Sequence, residues 1–392
     1  MIKAAIASKI QGLPLTVVMP SGERIGESSR VVIRLHSLLP LKNLATGNVG
    51  GISSDYVEGR LDIDGNMHDI IDVARGLISV DPTSTHETIL SKMIRAIQHS
   101  HSPTENTKHI QFHYDVSDDF YKLWLDQSRA YSCAYFAEPT MSLAEAQIAK
   151  FDHICRKLML KPNDKYLDVG CGWGGLLFHA VEKYGVDAVG ITLSQNQFDH
   201  VTQLIKDRDL TDRVQVKLID YSLLEGAFDK ISSIGMFEHV GTSKLPIYFD
   251  KLHSLLKPGG MLLNHGITAG GTKNSKLAAG IGDFIQKYIF PGGELQHISH
   301  ILRVIAESKL ETVDVENLRP HYAKTLWAWS DELEQNLQQA NSLVSEKTLR
   351  AYRVYLAGSA LSFEQGWISI HQMLVTRQGQ TEFPFTRKYM YV

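Results

Sequence analysis

Cysteine is scarce in this chain, and a large excess of charge of either sign is missing. Only three of the 392 residues are cysteines, Cys133, Cys155 and Cys171, and none of them forms a CxxC pair. This pattern argues against a disulfide framework and a zinc site, so we expect no metal and a reducing compartment. The 40 basic and 43 acidic residues give a formal net charge of −3. Nucleic acid is therefore not expected as a main partner.

Long apolar runs are absent as well. No stretch reaches the length of about 18 apolar residues that a membrane-spanning helix needs. The segment Met1–Leu15 has no sustained apolar region followed by a small-residue cleavage site. We therefore expect a cytoplasmic protein that touches membranes only from outside, at their inner face. The hydrophobic content of 43% can build a large core, and the length suggests about two or three domains.

The pattern along the chain predicts two domains joined by a linker. Residues 1–98 combine polar and apolar alternation around Pro20 and Gly22 with a later helical stretch, which predicts a small α+β domain. The segment 99–108, HSHSPTENTK, is polar and lacks periodicity, so it predicts the linker. Residues 109–392 then form the larger domain.

Strand candidates alternate with amphipathic stretches in the larger domain. They are Lys165–Val169, Val186–Ile191, Val214–Ile219, Lys230–Ile234 and Gly260–Asn264. This order predicts a doubly wound, Rossmann-like α/β sheet. The apolar segment Leu277–Leu310 interrupts the alternation and suits a lid or a substrate channel, while Arg350–Phe363 predicts a helix and Trp367–Thr376 a closing strand.

The segment Lys165–Gly175, KYLDVGCGWGG, predicts a buried strand that runs into a glycine turn and then a helix. Gly170, Gly172 and Gly174 let the backbone turn tightly beneath a ligand, and Asp168 ends the strand, where its carboxylate can hold a cationic amino-acid group. The motif indicates a site for a nucleoside cofactor. A glycine turn that binds nothing is the alternative.

The flanks of this motif favour S-adenosylmethionine over NAD. The glycine spacing also fits a dinucleotide fingerprint, which expects a carboxylate roughly 20 residues further on. The second strand ends instead in Thr192, Ser194 and Gln197. Since ligands of such sheets bind at the carboxyl ends of the strands, the strand-end residues are expected to converge on one crevice. They are Asp168–Gly174, Thr192, Asp220, Glu238 and His265.

Five separate motifs resemble those of one enzyme family. They are HYDVSDDFY at His113–Tyr121, YSCAYF at Tyr131–Phe136, LDVGCGWGG at Leu167–Gly175, GMFEHVG at Gly235–Gly241 and KYIFPGG at Lys287–Gly293. In this order they resemble cyclopropane-fatty-acyl-phospholipid synthases and, more loosely, the mycolic acid cyclopropane synthases and methyltransferases. The pattern DYVEGRLDIDG at Asp55–Gly65 suggests the full-length bacterial type.

The resemblance implies a class I methyltransferase fold and a specific reaction. A methylene from S-adenosylmethionine would be added to a cis double bond of a phospholipid acyl chain, by methyl transfer, a carbocation and loss of a proton. It also implies that a bound bicarbonate ion takes this proton, held by Cys133, Glu238, His265, the backbone of Ile267 and Tyr322. A single carboxylate that acts directly as the base stays an alternative.

The same resemblance assigns the other site residues. Tyr131 and Ser132 would reach the amino-acid portion of the cofactor, and Thr192 and Gln197 its ribose. The remaining cofactor contacts would come from Asp220 and Tyr221 at the adenine and from Tyr114, which would close the site. An acyl channel would be lined by Phe284, Ile285, Tyr288, Ile289 and Phe290, although their spacing also suits a buried helix face.

The partners expected are a phospholipid with an unsaturated acyl chain, the membrane surface and a second copy of the chain in a homodimer. The small domain would serve membrane or dimer contact. Two other functions stay open: a related methyltransferase that makes a methyl-branched lipid or methylates a small amine, and a catalytically silent lipid-binding protein.

Overall fold

The computed structural model describes residues 2–78, Pro82, 118–272, 277–380 and 383–391. The first of these ranges folds into a small α+β unit. Its sheet has the strand order β2-β1-β3-β4, in which β1 and β3 are parallel and the other two pairs are antiparallel. The bounds are α1 (Ile2–Ile10), β1 (Leu15–Val18), β2 (Arg24–Ile25), β3 (Val31–Leu35), α2 (Leu41–Thr46), α3 (Val49–Val57), β4 (Leu61–Asp64) and α4 (Met67–Leu77).

The hairpin expected around Pro20 and Gly22 is confirmed, because β1 pairs with β2 through Val17 and Ile25. The predicted linker, 99–108, lies outside the described residues. The domain boundaries therefore stay a prediction.

A seven-stranded sheet forms the larger part of the molecule, with the order β10-β11-β9-β8-β5-β6-β7. The five strands from β5 to β9 are parallel, and β11 runs antiparallel to both β9 and β10. This confirms the predicted doubly wound α/β sheet. The strands are β5 (Lys165–Val169), β6 (Asp187–Thr192), β7 (Val214–Leu218), β8 (Phe228–Ile234), β9 (Leu256–Ala269), β10 (Leu310–Asn317) and β11 (Ile368–Arg377).

The helices of this part surround the sheet and extend beyond it. They are α5 (Asp118–Lys122), α6 (Leu143–Lys157), α7 (Gly175–Tyr184), α8 (Gln195–Asp207), α9 (Leu245–Leu255), α10 (Ile281–Tyr288), α11 (Ile298–Glu307), α12 (Arg319–Gln335), α13 (Leu337–Leu343) and α14 (Glu346–Glu364). The predicted closing helix and strand are confirmed as α14 and β11. The predicted lid segment contains α10 and α11. None of the helices in the described ranges is long and apolar enough to cross a membrane.

Helix α14 joins the two parts. Its Arg350 donates hydrogen bonds to the carbonyl of Tyr56 (2.9 Å) and to the carboxylate of Asp62 (2.8 Å). One turn further on, Arg353 donates to the hydroxyl of Tyr56 at 2.6 Å. These bonds hold the small unit against the same helix that helps to form the candidate site below.

Candidate active site

The glycine turn after β5 lies beneath a cavity of about 100 Å³. Gly170, Gly172 and Gly174 all have positive φ angles, of 81°, 54° and 87°. A Cβ at Gly174 would lie 2.7 Å from the ring of Phe178, whereas a Cβ at Gly172 would meet no atom within 4 Å. The absence of a side chain at Gly174 therefore allows α7 to pack closely. At Gly172 it leaves open space where the backbone faces the cavity.

Six of the residues predicted to bind a cofactor line this cavity: Tyr131, Ser132, Asp168, Gly170, Gly172 and Gln197. Asp168 is buried and accepts a hydrogen bond from the Ser232 hydroxyl at 2.6 Å. Burial raises the pKa of its carboxyl to about 6.

The other predicted cofactor residues that the structure describes do not line the cavity. Thr192 donates to the side-chain oxygen of Gln197 at 2.7 Å and so acts on the cavity through that residue. Asp220 accepts from the backbone N–H of Ser222 at 2.9 Å. Gly174 packs behind the turn, the ring of Tyr221 packs edge-on against Tyr248, and Tyr114 lies outside the described residues.

A second cavity, of about 240 Å³, adjoins the first. Tyr131, Ser132 and Gly235 line both. The two cavities together account for the crevice expected at the strand ends, although Thr192 and Asp220 line neither of them.

The structure brings together all five residues predicted to hold the base. The second cavity is lined by Cys133, Glu238, His265, Ile267 and Tyr322. They come from four places in the chain: an irregular segment before α6, the short 3-10 turn after β8, strand β9 and helix α12. The irregular segment is fixed to α12 because the N–H of Ala134 donates to Thr325 and that of Phe136 to His321, both at 3.0 Å.

Glu238 is buried, and only one of its two carboxylate oxygens has a hydrogen-bond partner among the described residues. Its Oε1 accepts from the backbone N–H of Ile267 at 2.6 Å, and its Oε2 is buried with no hydrogen-bond partner among the described residues. Gly266 permits this approach, since a Cβ there would come within 2.9 Å of the Glu238 carboxyl carbon. Burial raises the pKa of Glu238 to about 7, so this carboxyl can change its protonation near neutral pH.

His265 also has one bonded polar atom and one buried polar atom without a described partner, but burial shifts its pKa in the opposite direction. Its Nδ1 accepts from the Gln372 side-chain amide at 3.2 Å, and its Nε2 is buried without a partner in the part of the chain that is described. Burial lowers the pKa of the ring to about 3. The neutral ring with Nδ1 as acceptor carries its proton on Nε2, where it can donate to a ligand.

The remaining three members are a thiol, a phenol and a backbone N–H. Burial raises the pKa of the Cys133 thiol, which therefore stays protonated. Tyr322 is buried on α12, where its ring packs against Phe363. The N–H of Ile267 is already bonded to Glu238, so in this geometry it supports that carboxylate and does not face a ligand.

The walls of the second cavity are mainly apolar. Of the predicted channel residues, Phe284, Ile285 and Phe290 line it. Tyr288 and Ile289 do not: the Tyr288 hydroxyl donates to Glu58 of the small unit at 2.7 Å, and Ile289 is buried in the core.

Among the lining residues that sequence reasoning missed, two sets bear most on function. The small unit contributes part of the second cavity through Val49, Gly50, Ser53, Ile71, Ala74 and Ile78. No local sequence pattern indicates this. The other omission is Lys150, which lines the first cavity. The sequence does contain a signal for Lys150, namely a charged residue on the apolar face of α6, between Ala146 and Ile154.

Comparisons with known proteins relate the chain to one family. Residues 101–373 match the family model described as mycolic acid cyclopropane synthetase. A probable fatty acid methyltransferase of Pseudomonas putida is 44% identical over 97% of this chain and 96% of its own length. Cyclopropane mycolic acid synthase 1 of Mycobacterium tuberculosis is 42% identical over 67% of this chain and 94% of its own length.

Solved structures show the same likeness. The crystal structure of the mycolic acid cyclopropane synthase CmaA1 complexed with SAH and CTAB matches with a TM-score of 0.66 and 41% identity, and it covers 69% of this chain and 97% of that chain. Coclaurine N-methyltransferase bound to N-methylheliamine and SAH matches with a TM-score of 0.60 at 21% identity, over 83% of this chain and 98% of that chain. The second match shows the fold alone.

Proposed function

The chain belongs to the mycolic acid cyclopropane synthetase family, and on that premise we propose that this S-adenosylmethionine-dependent methyltransferase is a cyclopropane-fatty-acyl-phospholipid synthase. The observation that carries the proposal is the junction of the two cavities. One has a glycine turn and polar walls, and the other has apolar walls with Glu238 and His265. A cofactor in the first can face an acyl chain in the second across Tyr131 and Ser132.

The first cavity fits S-adenosylmethionine in its donor set. Gly172 leaves space for the ligand, and Gln197 offers an amide to hydroxyl groups. The buried carboxyl of Asp168 suits a cationic group. When bound, the cofactor supplies an electrophilic methyl group on a sulfonium centre.

The apolar walls of the second cavity would hold the double bond at the junction and exclude water. The electron pair of the alkene forms a bond to the methyl carbon while the carbon–sulfur bond breaks, which leaves a cation on the other alkene carbon. Loss of a proton from the added methyl group then lets its C–H electron pair close the ring. The reaction therefore needs a base at the junction.

Two buried atoms support a base at this position, namely Oε2 of Glu238 and Nε2 of His265, which have no partner among the described residues. We propose that a bicarbonate ion is held there. The His265 N–H and the Tyr322 hydroxyl can donate to it, and Glu238 can accept its hydroxyl proton. The Cys133 thiol donates to the carbonyl of Ala134 at 3.3 Å in the structure, and its proton would rotate toward the ion. Several donors are needed because an anion in an apolar cleft must be compensated on more than one side.

The choice of a phospholipid substrate draws support from the small unit. The family match begins at residue 101, so helices α3 and α4 of the unit lie outside it, yet their side chains line the second cavity. The acyl site of this protein therefore differs from one that the matched region could form alone. Membrane contact and homodimer formation, which the resemblance implies, remain predictions.

The test is transfer from S-adenosylmethionine with a trideuterated methyl group to vesicles of unsaturated phospholipid, followed by mass analysis of the acyl chains. A cyclopropane keeps two of the three deuterium atoms and resists ozonolysis. A methyl-branched product that keeps all three deuterium atoms would favour the related methyltransferase. Transfer to small amines but not to lipid would overturn the proposal.

A further inference from the structure

Lys150 is a buried cation that forms no direct ion pair among the described residues, although the negative charges of Asp126 and Asp168 act on it from a longer distance. Its side chain lies on α6, is 1% exposed, and donates one hydrogen bond, to the Ser132 hydroxyl at 2.8 Å. Its ammonium also lies 4.7 Å from the centre of the Phe151 ring. Within the described ranges no carboxylate forms an ion pair with it. Lys157, two turns further along the same helix, is equally buried but pairs with Glu316 at 2.5 Å.

A buried ammonium needs a nearby anion, because a hydroxyl and a ring compensate only part of its lost hydration. Burial lowers the pKa of Lys150 to about 8, so the side chain is still mainly charged at neutral pH. It lines the cofactor cavity together with Ser132 and Asp168. An anion in direct contact with the ammonium can therefore come from the ligand.

S-adenosylmethionine has a single anionic group, its α-carboxylate, while its ammonium and sulfonium groups would be repelled by a lysine. We propose that the Lys150 ammonium binds the α-carboxylate of the cofactor. Ser132 assists, since it accepts from Lys150 and its own hydroxyl proton can be donated to the ligand. The inference rests on the cofactor of the proposed function but not on its lipid substrate.

Arg129 is the competing cation in the same cavity. Its guanidinium lies over the ring of Trp173, 4.7 Å from the ring centre, and the residue is partly exposed. A stacked and partly hydrated guanidinium has less need of an anion than a buried ammonium. Lys150 is therefore the better candidate, and Arg129 provides the matched control.

The experiment is a thermodynamic cycle, like a double-mutant cycle, in which one change removes the Lys150 ammonium and the other removes the carboxylate of the ligand. Calorimetry compares S-adenosylhomocysteine with its decarboxylated analogue, which keeps the amine, in the wild-type protein and in Lys150→Met. In the wild type, loss of the ligand carboxylate should weaken binding by about 10- to 100-fold. In Lys150→Met both ligands should bind about as weakly as the analogue binds to the wild type.

A merely structural role for Lys150 would weaken both ligands equally, and such additive effects would overturn the proposal. The proposal would also be overturned if Arg129→Met abolished the preference for S-adenosylhomocysteine over its decarboxylated analogue while Lys150→Met retained that preference. If Lys150→Met does not fold, Lys150→Gln serves in its place, because its amide can still bond Ser132 but carries no charge. A wild type that binds neither ligand would refute the cofactor assignment itself.

Lys157→Met is the control for removal of a buried lysine from α6. It should lower the melting temperature, because it removes the ammonium from Glu316, which keeps its contact with His153, and from Asp314. The preference for the ligand carboxylate should stay at the wild-type value. Loss of that preference in Lys157→Met would show that the effect follows helix stability, and would count against the proposal.

Discussion

Glu238 and His265 are both buried, and burial moves their pKa values in opposite directions, to about 7 and about 3. Each keeps one atom bonded to the protein and presents another to the second cavity. A carboxyl that titrates near neutral pH beside a neutral imidazole is suited to moving or holding a proton. Three predictions belong to this pair of residues.

Removal of either side-chain group should slow the reaction without weakening the binding of the cofactor. Glu238→Gln and His265→Gln should each lower turnover by about 10² to 10³, because each removes one preorganised contact to the base. Affinity for S-adenosylhomocysteine should stay within a few-fold, since neither residue lines the first cavity. Exposed Glu225 gives the control Glu225→Gln, which should change neither quantity. Full activity of Glu238→Gln would show that the pair is structural.

Bicarbonate should be required for turnover. In degassed, carbonate-free buffer the wild-type rate should fall, and it should recover when bicarbonate is added. Binding of S-adenosylhomocysteine, measured by calorimetry in the same two buffers, should not change. Equal rates with and without bicarbonate would favour Glu238 as the direct base, provided that Glu238→Gln is inactive.

Glu238 should also make the folded state less stable as pH rises. Its pKa is about 7 in the folded protein, whereas the ordinary pKa of a glutamate is 4.5, so between these two values the folded state binds more protons than the unfolded state. Stability therefore falls through this window, by up to roughly 3 kcal/mol. Urea unfolding at pH 5 and pH 8 should show Glu238→Gln gaining stability relative to the wild type at the higher pH. A constant difference would contradict the assignment.

At the scale of elements, the turn between β5 and α7 is the feature that forms the cofactor cavity. The N–H groups of Gly170 and Cys171 both donate to the carbonyl of Ile191 on β6, at 3.0 and 2.9 Å. The turn is thereby fixed to the neighbouring strand before any ligand binds. Preorganisation of this kind lowers the cost of ordering the site on binding.

Gly172→Val should abolish cofactor binding while the fold remains. The branched side chain would enter the open space above Gly172, where no protein atom lies within 4 Å of a Cβ. Gly59 is the matched control, because it also has a positive φ, 68°, and open space around a Cβ, but lines neither cavity. Gly59→Val should carry a similar backbone strain of about 1–3 kcal/mol and bind S-adenosylhomocysteine normally. Normal binding by Gly172→Val would place the ligand elsewhere.

At the scale of the whole molecule, the small amino-terminal unit forms part of the wall of the second cavity, the proposed acyl cavity. Helices α3 and α4 contribute lining side chains, and α14 holds the unit in place through Arg350 and Arg353. No described residue before Ser128 lines the cofactor cavity. Changes in the unit should therefore alter the binding of the acyl chain and leave the binding of the cofactor unchanged.

Ala74→Phe tests this separation of roles. The larger side chain on α4 would fill part of the acyl cavity, and turnover on vesicles of long-chain phospholipid should fall by at least about tenfold. Affinity for S-adenosylhomocysteine should be unchanged. Asp72→Phe places the same side chain on the exposed side of α4 and should be close to wild type in both assays. Equal activity of the two variants would exclude the unit from the acyl site.

The sequence by itself determined the sheet, the glycine turn and the meeting of Glu238 and His265 at the second cavity. Strands such as Lys165–Val169 and the turn at Gly170–Gly174 depend on local periodicity and on backbone conformations that glycine favours, and both can be read along the chain. Glu238 and His265 could be expected to meet because parallel strands end at one edge of a sheet.

Only the tertiary structure decided which side chains face each cavity. Ile267 gives its N–H to Glu238, and Tyr288 turns to Glu58. Lys150 keeps its charge without an ion pair within the described part of the chain. The wall contributed by Ala74 and its neighbours comes from residues far from the catalytic motifs in sequence. Such contacts depend on packing between distant segments, and no periodic pattern encodes that packing, so these parts of the two cavities could be known only from the fold.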